Sequence, residues 1–122
     1  MELLIIFLTT LIGLQHLGFM YLEMFLWTQP FGMKLFGNSL EEANNSKVLA
    51  ANQGLYNGFL AAGLFWSLLY PDPAVSYQIR LFFLCCVALA GIYGGLTAGR
   101  RIIYIQAFPA IITIILVLVR MR

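Results

Sequence analysis

The chain has 122 residues, of which 61% are hydrophobic and 10% charged, and its formal net charge is +2. An ordinary soluble domain carries about 25% charged residues, so the composition argues against such a domain and predicts an integral membrane protein. The weak and dispersed positive charge argues against a nucleic-acid surface, which needs a clustered basic stripe. Because one bilayer crossing takes about 20 helical residues, we expect about four crossings.

The first predicted crossing extends from about residue 3 to 27, and Pro30 follows its end. Its amino end lacks the basic start of a signal peptide, so we expect this helix to be retained. The stretch 31–46 mixes glycine and asparagine with apolar residues, and Ser39 followed by Glu42 has the spacing of a capping box. A short interfacial helix is therefore predicted in the first loop.

The other three predicted crossings are apolar segments at about residues 47–70, 78–98 and 102–119. Pro71 and Pro73 end the helix of the second crossing, and Gly99 followed by two arginines ends the helix of the third. Short loops require consecutive helices to run antiparallel. We therefore predict an all-α fold, an integral membrane four-helix up-down-up-down bundle that forms one domain over residues 1–122.

Small side chains recur every fourth residue on two of these helices. They are Ala50, Gly54, Gly58 and Ala62 on the second crossing, and Gly91, Gly95 and Gly99 on the third. Membrane helices associate through close packing, so we expect these two crossings to pack tightly against each other. The alternative is a homodimer through Gly54, Gly58, Gly91 and Gly95, and contact within one chain is favoured over it.

The two cysteines, Cys85 and Cys86, are neighbours within an apolar helix. A bridge between adjacent residues would strain the helix, so we interpret both as small buried hydrophobic residues. Neither a redox pair nor a metal site is predicted, and no cofactor is expected.

A set of polar residues lies inside the apolar runs, where no water solvates them. They are His16, Glu23, Asn52, Gln53, Tyr56, Asn57, Tyr93 and Gln106. Counting about 1.5 Å per residue from the helix ends places them in one half of the bilayer, whereas the other half offers almost only hydrocarbon. The pattern predicts a pocket that opens on one side rather than a channel, with these residues as its ligand- or proton-binding groups.

Glu23 and His16 lie on one face of the first helix at helical spacing. A carboxylate in hydrocarbon has to be paired or neutralised, and Asn52, Gln53 and His16 are the predicted donors. Glu23 has an alternative role as an interfacial residue that reaches the headgroups, and His16 has one as a structural histidine. In the last helix, Pro109 predicts a kink beside Gln106.

Several of these stretches together resemble a known family. The most specific is Ala50-Ala51-Asn52-Gln53-Gly54-Leu55-Tyr56-Asn57-Gly58, and further matching stretches are His16-Leu17 and residues 21–27, 91–94 and 106–110. At these residues the chain resembles an uncharacterised family of small four-helix bacterial integral membrane proteins. The resemblance implies four crossings of a bacterial cytoplasmic (inner) membrane, and it implies no activity.

Three functions are compatible with this pattern of polar residues. The first is proton-linked transport or binding of a small polar or amphipathic molecule, in which Glu23 and His16 exchange protons. The second is an intramembrane enzyme acting on a lipid-soluble substrate, and the third is an accessory subunit whose polar residues only fix its packing. We favour the first, with the lipid bilayer and a small-molecule ligand as the expected partners.

Overall fold

The computed structural model describes all residues, 1–122, and is entirely helical. In chain order it contains α1 (Glu2–Phe25), α2 (Pro30–Phe36), α3 (Leu40–Leu69), α4 (Pro73–Thr97), a π-helical turn (Ile103–Ala107) and α5 (Phe108–Arg120). The predicted all-α class is confirmed. Three segments are long and apolar enough to cross a membrane, namely α1, α4 and the stretch Ile103–Arg120. These segments suggest a membrane protein.

The chain divides into two compact units, which we name for their place in the sequence. The terminal unit comprises Met1–Gly13 and Ala62–Arg122, and the central unit comprises Leu14–Ala61. The single domain over residues 1–122 stays a prediction.

The first loop contains a short helix, as predicted, but the capping box does not belong to it. Helix α2 has seven residues and ends at Gly37, whose φ of 72° is left-handed. Ser39 N–H donates to Glu42 Oε2 (2.7 Å), and Glu42 N–H donates to Ser39 Oγ (3.2 Å). These two bonds satisfy free donors at the start of α3. The second long helix therefore begins at Leu40 rather than at residue 47.

Helix α4 also begins earlier than predicted, at Pro73 instead of residue 78. Asp72 is its N-cap, and its Oδ1 accepts a hydrogen bond of 2.9 Å from Val75 N–H. Proline is favourable in the first turn because its missing N–H has no helical partner there. Pro73 therefore starts a helix instead of breaking one.

In the central unit, α1 and α3 approach closely at two glycines. A Cβ atom at Gly54 would lie 2.7 Å from Met24 Cγ and 3.1 Å from the carbonyl oxygen of Met20, and one at Gly58 would lie 2.7 Å from Met20 Sδ. Contacts that advance along α3 move backwards along α1, so the two helices run antiparallel. Absence of a side chain at these positions permits the close approach.

In the terminal unit, α4 packs against the π-helical turn and α5. A Cβ atom at Gly91 would lie 2.6 Å from the backbone nitrogen of Ala107, and Gly95 lies against Ile103. Helices α3 and α4 do contact each other, at Gly63 and Phe83, but the glycines of the two small-residue stripes do not form that contact. A stripe allows close approach but does not specify which neighbour approaches.

The homodimer through Gly54, Gly58, Gly91 and Gly95 stays a prediction. All four glycines contact side chains or backbone of their own chain. A second copy would have to displace those contacts or use the remaining surface of the helices.

The kink predicted near Pro109 takes the form of the π-helical turn. The N–H of Phe108 donates to the carbonyl oxygen of Ile103, five residues back. Pro109 has no N–H to donate, so the regular ladder is interrupted directly after this turn. Gln106, beside which the kink was predicted, lies within this wide turn.

Cys85 and Cys86 are free thiols, Cys85 exposed and Cys86 half-buried. The prediction that both are buried is wrong. The buried face of α4 includes Leu84, Val87 and Gly91, and Cys85 falls off that face.

Candidate functional site

A carboxylate and an amide meet in the central unit, where α1 and α3 approach. Asn57 Nδ2 donates a hydrogen bond of 2.7 Å to Glu23 Oε2, and both side chains are half-buried. Since the glycines of α3 let α1 come close, residues 34 positions apart become partners. A charge-assisted bond of this kind stabilises a carboxylate in apolar surroundings. The donor is Asn57, whereas Asn52, Gln53 and His16 were the predicted donors.

Glu23 also lines an open groove of about 480 Å³ in the same unit. Its other polar residues are Thr28, Lys47 and Asn52, and its walls are formed by Met24, Phe25, Trp27, Val48, Ala51 and Leu55. Ligand sites for small molecules commonly have volumes of about 300–1,000 Å³ and mostly apolar walls with a few polar groups. The groove has a volume within this range and a lining of this kind.

Helical periodicity brings the groove residues together. On α3, Lys47, Ala51 and Leu55 recur every fourth position, with Val48 and Asn52 beside them. Lys47 was not among the predicted site residues, although this spacing was visible in the sequence.

Trp27 holds a fixed position at the groove wall. Its Nε1 donates to Ser46 Oγ (3.0 Å), and its ring lies 4.7 Å from the ring of Phe36. Ser46 in turn donates to the carbonyl oxygen of Glu42 (2.7 Å). These contacts join the end of α1, helix α2 and the first turns of α3 on one side of the groove.

The other predicted residues of the central unit have different surroundings. Asn52 is exposed at the groove and donates to the carbonyl oxygen of Val48 on its own helix (2.9 Å). Gln53 and Tyr56 are exposed. His16 is fully buried and meets a phenylalanine ring edge-on at 5.6 Å.

Two predicted residues, Tyr93 and Gln106, belong to the terminal unit and do not line the groove. Gln106 Nε2 donates to the carbonyl oxygen of Val87 (3.4 Å) and thus joins the π-helical turn to α4. Tyr93 is 71% exposed, which excludes it from the packed interior of its unit.

A second polar cluster, absent from the sequence-based prediction, surrounds Arg80 in the terminal unit. Arg80 is 3% exposed, and its Nη2 and Nε donate to Ser76 Oγ (3.3 Å) and Ser67 Oγ (3.4 Å). Its Nη1 lies 3.8 Å from Glu2 Oε1. Ser76, one turn before Arg80 on α4, was the available signal.

Two further side chains meet the same carboxylate. The hydroxyl of Tyr77 donates to Glu2 Oε2, and Arg120 Nε lies 3.6 Å from that oxygen. Glu2 thus connects the start of α1 with α4 and the end of α5. Neither this cluster nor the groove resembles a metal centre, since no three His, Cys, Asp or Glu side chains come together in residues 1–122.

Comparison with known proteins identifies the class of the chain. It matches DUF1304, described as a protein of unknown function, over residues 10–118. It is 32% identical over 117 residues to the uncharacterized protein YpaA of Lactococcus lactis subsp. lactis (strain IL1403), with 94% of this chain and 97% of that protein covered. The chain belongs to the DUF1304 family. No solved structure matches it.

Proposed function

We propose that the chain crosses a bacterial cytoplasmic (inner) membrane four times, with α3 as the fourth crossing of an up-down-up-down bundle. Helix α3 has 30 residues, which corresponds to about 45 Å. The hydrocarbon core is about 30 Å thick, so the polar first turns of α3 extend beyond it while the apolar remainder crosses. The short helix α2 then lies at the interface, and the bacterial relative supports the choice of membrane.

Within that bundle, we propose that the groove binds a small amphipathic molecule and exchanges a proton for it at Glu23. The observation that carries this proposal is the 2.7 Å bond from Asn57 to Glu23, which holds a half-buried carboxylate at the wall of a groove of about 480 Å³. A membrane carboxylate is costly to maintain, so its exposure to a cavity favours function over packing.

Each part of the groove has a role in this binding. The ionised Glu23 accepts a hydrogen bond from the polar head of the ligand or forms an ion pair with it. Asn57 fixes the orientation of the Glu23 carboxylate. Trp27 and Leu55 contact the apolar body. Protonation of Glu23 removes the charge that attracts a cationic head, so ligand and proton compete. His16 lies seven residues earlier on α1, about 10 Å along the helix, and is the second group of the proton path.

Paired hydrophobic ions of opposite charge test this function. Tetraphenylphosphonium and tetraphenylborate have nearly the same size but opposite charge. A difference between their affinities therefore reports the sign of the charge in the groove. With Trp66→Phe as background, Trp27 is the remaining tryptophan and its emission reports occupancy of the groove. We expect saturable quenching by the cation, with protons released on binding, and much weaker quenching by the anion.

Glu23→Gln should abolish both the charge preference and the proton release. Glu41→Gln is the matched control, because it removes an exposed carboxylate outside the groove lining. Equal binding of both ions, or a proton release that survives Glu23→Gln, contradicts the proposal. Flux of the cation into proteoliposomes, driven by a pH gradient and lost in Glu23→Gln, then separates transport from binding alone.

A further inference from the structure

The Arg80 cluster borders a cavity of its own. The cavity has a volume of about 210 Å³ and lies in the terminal unit between the Pro71 turn and the start of α1. Glu2, Ser76, Tyr77 and Arg80 supply its polar lining. The proposed groove uses none of these residues.

Arg80 is 3% exposed, yet one of its donors is unfilled. Nη2 and Nε donate to serine hydroxyls, whereas Nη1 is buried and makes no hydrogen bond. The nearest carboxylate oxygen, Glu2 Oε1, is 3.8 Å away, beyond the usual N–H···O distance of about 3.2 Å. A buried guanidinium with an unused donor has capacity for one more acceptor.

The charges of the cluster also lack balance. Arg80 and Arg120 both face the single carboxylate of Glu2, which leaves one positive charge in excess. The Tyr77 hydroxyl is used by Glu2 and the Ser76 hydroxyl by the backbone of Ser67. A single monoanion at Nη1 therefore satisfies the donor and the charge together.

Aromatic residues place this end of the terminal unit at headgroup level. Trp66 and Tyr70 are exposed by 53% and 37%, and their rings lie edge-on at 6.1 Å. Tyr70 also lines the cavity. Tryptophan and tyrosine concentrate at the level of lipid headgroups, where phosphodiester monoanions are abundant.

We propose that this cavity binds a phosphate oxyanion, with Arg80 Nη1 as its principal donor and Arg120 as the second positive charge. With Nη2 and Nε used by serines, Nη1 is the one guanidinium nitrogen left to donate, and a charge-assisted bond from it suits a phosphate oxygen. The source is either the phosphodiester of an anionic lipid headgroup or free phosphate. This site is independent of the proposed groove.

Native mass spectrometry of the full chain in detergent tests the proposal with three probes. These are phosphatidylglycerol, diacylglycerol with the same acyl chains but no phosphate, and inorganic phosphate as competitor. We expect one tightly retained phosphatidylglycerol and no retained diacylglycerol. Retention that resists inorganic phosphate identifies a lipid headgroup, whereas displacement by inorganic phosphate identifies a site that also takes the free ion, and both support the oxyanion site.

Two variants are expected to change the retention of phosphatidylglycerol in opposite directions, and a third is the control. Arg80→Gln should weaken retention of phosphatidylglycerol by at least about tenfold, since a charge-assisted bond is lost. Glu2→Gln keeps an acceptor for Tyr77 but removes the competing negative charge, so retention should strengthen by about threefold or more. Arg101→Gln, which removes an exposed cation outside the lining, should stay within about twofold.

If Arg80→Gln does not fold, the folded Glu2→Gln variant decides the matter. Unchanged or weaker retention in Glu2→Gln overturns the proposal, as does retention of diacylglycerol equal to that of phosphatidylglycerol. A loss in Arg101→Gln equal to that in Arg80→Gln also overturns it, since general attraction to the anionic probe would then be sufficient.

Discussion

The two units solve the same problem, a charged group among apolar helices, in different ways. In the central unit, Glu23 is half-buried, has one amide donor and lies at the wall of a groove. In the terminal unit, Arg80 is 3% exposed and two serines, a carboxylate and a tyrosine surround it. An ion held by many neighbours is expected to stabilise the fold even where it also borders a cavity, whereas an ion held by a single neighbour is expected to contribute little to stability.

Arg80→Ala provides the largest test of this comparison. Removing this buried side chain leaves a cavity and takes the guanidinium donors away from Ser67 and Ser76, whereas Glu2 keeps Tyr77 and Arg120, so we expect a loss of about 3 kcal/mol in unfolding free energy. Reversible unfolding in mixed micelles, followed by circular dichroism, measures it. Arg101→Ala removes an exposed arginine and should change stability by less than about 0.5 kcal/mol. Equal effects in the two variants would show that the Arg80 cluster does not hold the terminal unit together.

Gly54→Ala tests whether the groove depends on the close approach of α1 and α3. The added methyl group would lie 2.7 Å from Met24 Cγ and 3.1 Å from a backbone oxygen, so we expect a loss of about 2 kcal/mol. Gly18→Ala on α1 is the control, because nothing lies within 4 Å of its Cβ position and alanine favours a helix by about 1 kcal/mol. The same unfolding assay should therefore give opposite signs for the two variants, and a stabilised Gly54→Ala would contradict the packing described above.

Asn57→Ala should have a smaller effect on stability than either of these. It removes the donor to Glu23, at an expected cost of about 1 kcal/mol. Asn52→Ala removes an amide that bonds only to its own helix, so its cost should be near zero. If the Glu23 pair instead proves as important for stability as Arg80, the proposed difference in structural importance between the two ions fails.

The smallest predicted effect is the pH dependence of the stabilisation that the Ser39–Glu42 capping box gives to the start of α3. Hydrogen bonds from the Ser39 backbone N–H and hydroxyl lower the pKa of Glu42 from its ordinary value of 4.5. Because the folded state binds this proton more weakly than the unfolded state, the stabilisation of the α3 start is present above pH 4.5 and is lost as pH falls through the lowered pKa.

Hydrogen exchange measures this effect at the Ala43 amide, which donates to the carbonyl oxygen of Ser39. Protection, corrected for intrinsic exchange, should fall in acid in the wild type. Glu42→Gln keeps the geometry of the box but cannot titrate, so its protection should be independent of pH. A parallel acid loss in that variant would assign the effect to another group.

The features that depend on helical periodicity, such as helix bounds and the residues that share a helix face, were predicted from the sequence. The first helix was expected over 3–27 and is Glu2–Phe25, and the irregular turn at Gln106 was expected from Pro109. Glu23 and the amides of α3 were also expected to approach each other. The specific donor was not, because a crossing between two helices is set by packing along their whole length rather than by the nearest polar residue.

What the sequence left undetermined depends on contacts between distant segments. Arg80 was not among the predicted site residues, because a charge near a helix start is normally solvated and nothing local indicates that Glu2 and Ser67 meet it. The glycines of α3 and α4 predicted close approach correctly but their partners wrongly. Pairing of stripes in a bundle has several nearly equivalent solutions that only side-chain fit distinguishes.

The π-helical turn before Pro109 changes which face of the last helix is turned toward its neighbours. One residue more per turn rotates everything downstream by about 100°, and the buried positions Ala107, Ala110, Thr113 and Val117 form a single row that starts at the end of the turn. A relative with one residue fewer at this point would present a different side of its carboxyl-terminal helix to α4. Deletions there should therefore be accompanied by the loss of the proline or by a rearranged row of small residues.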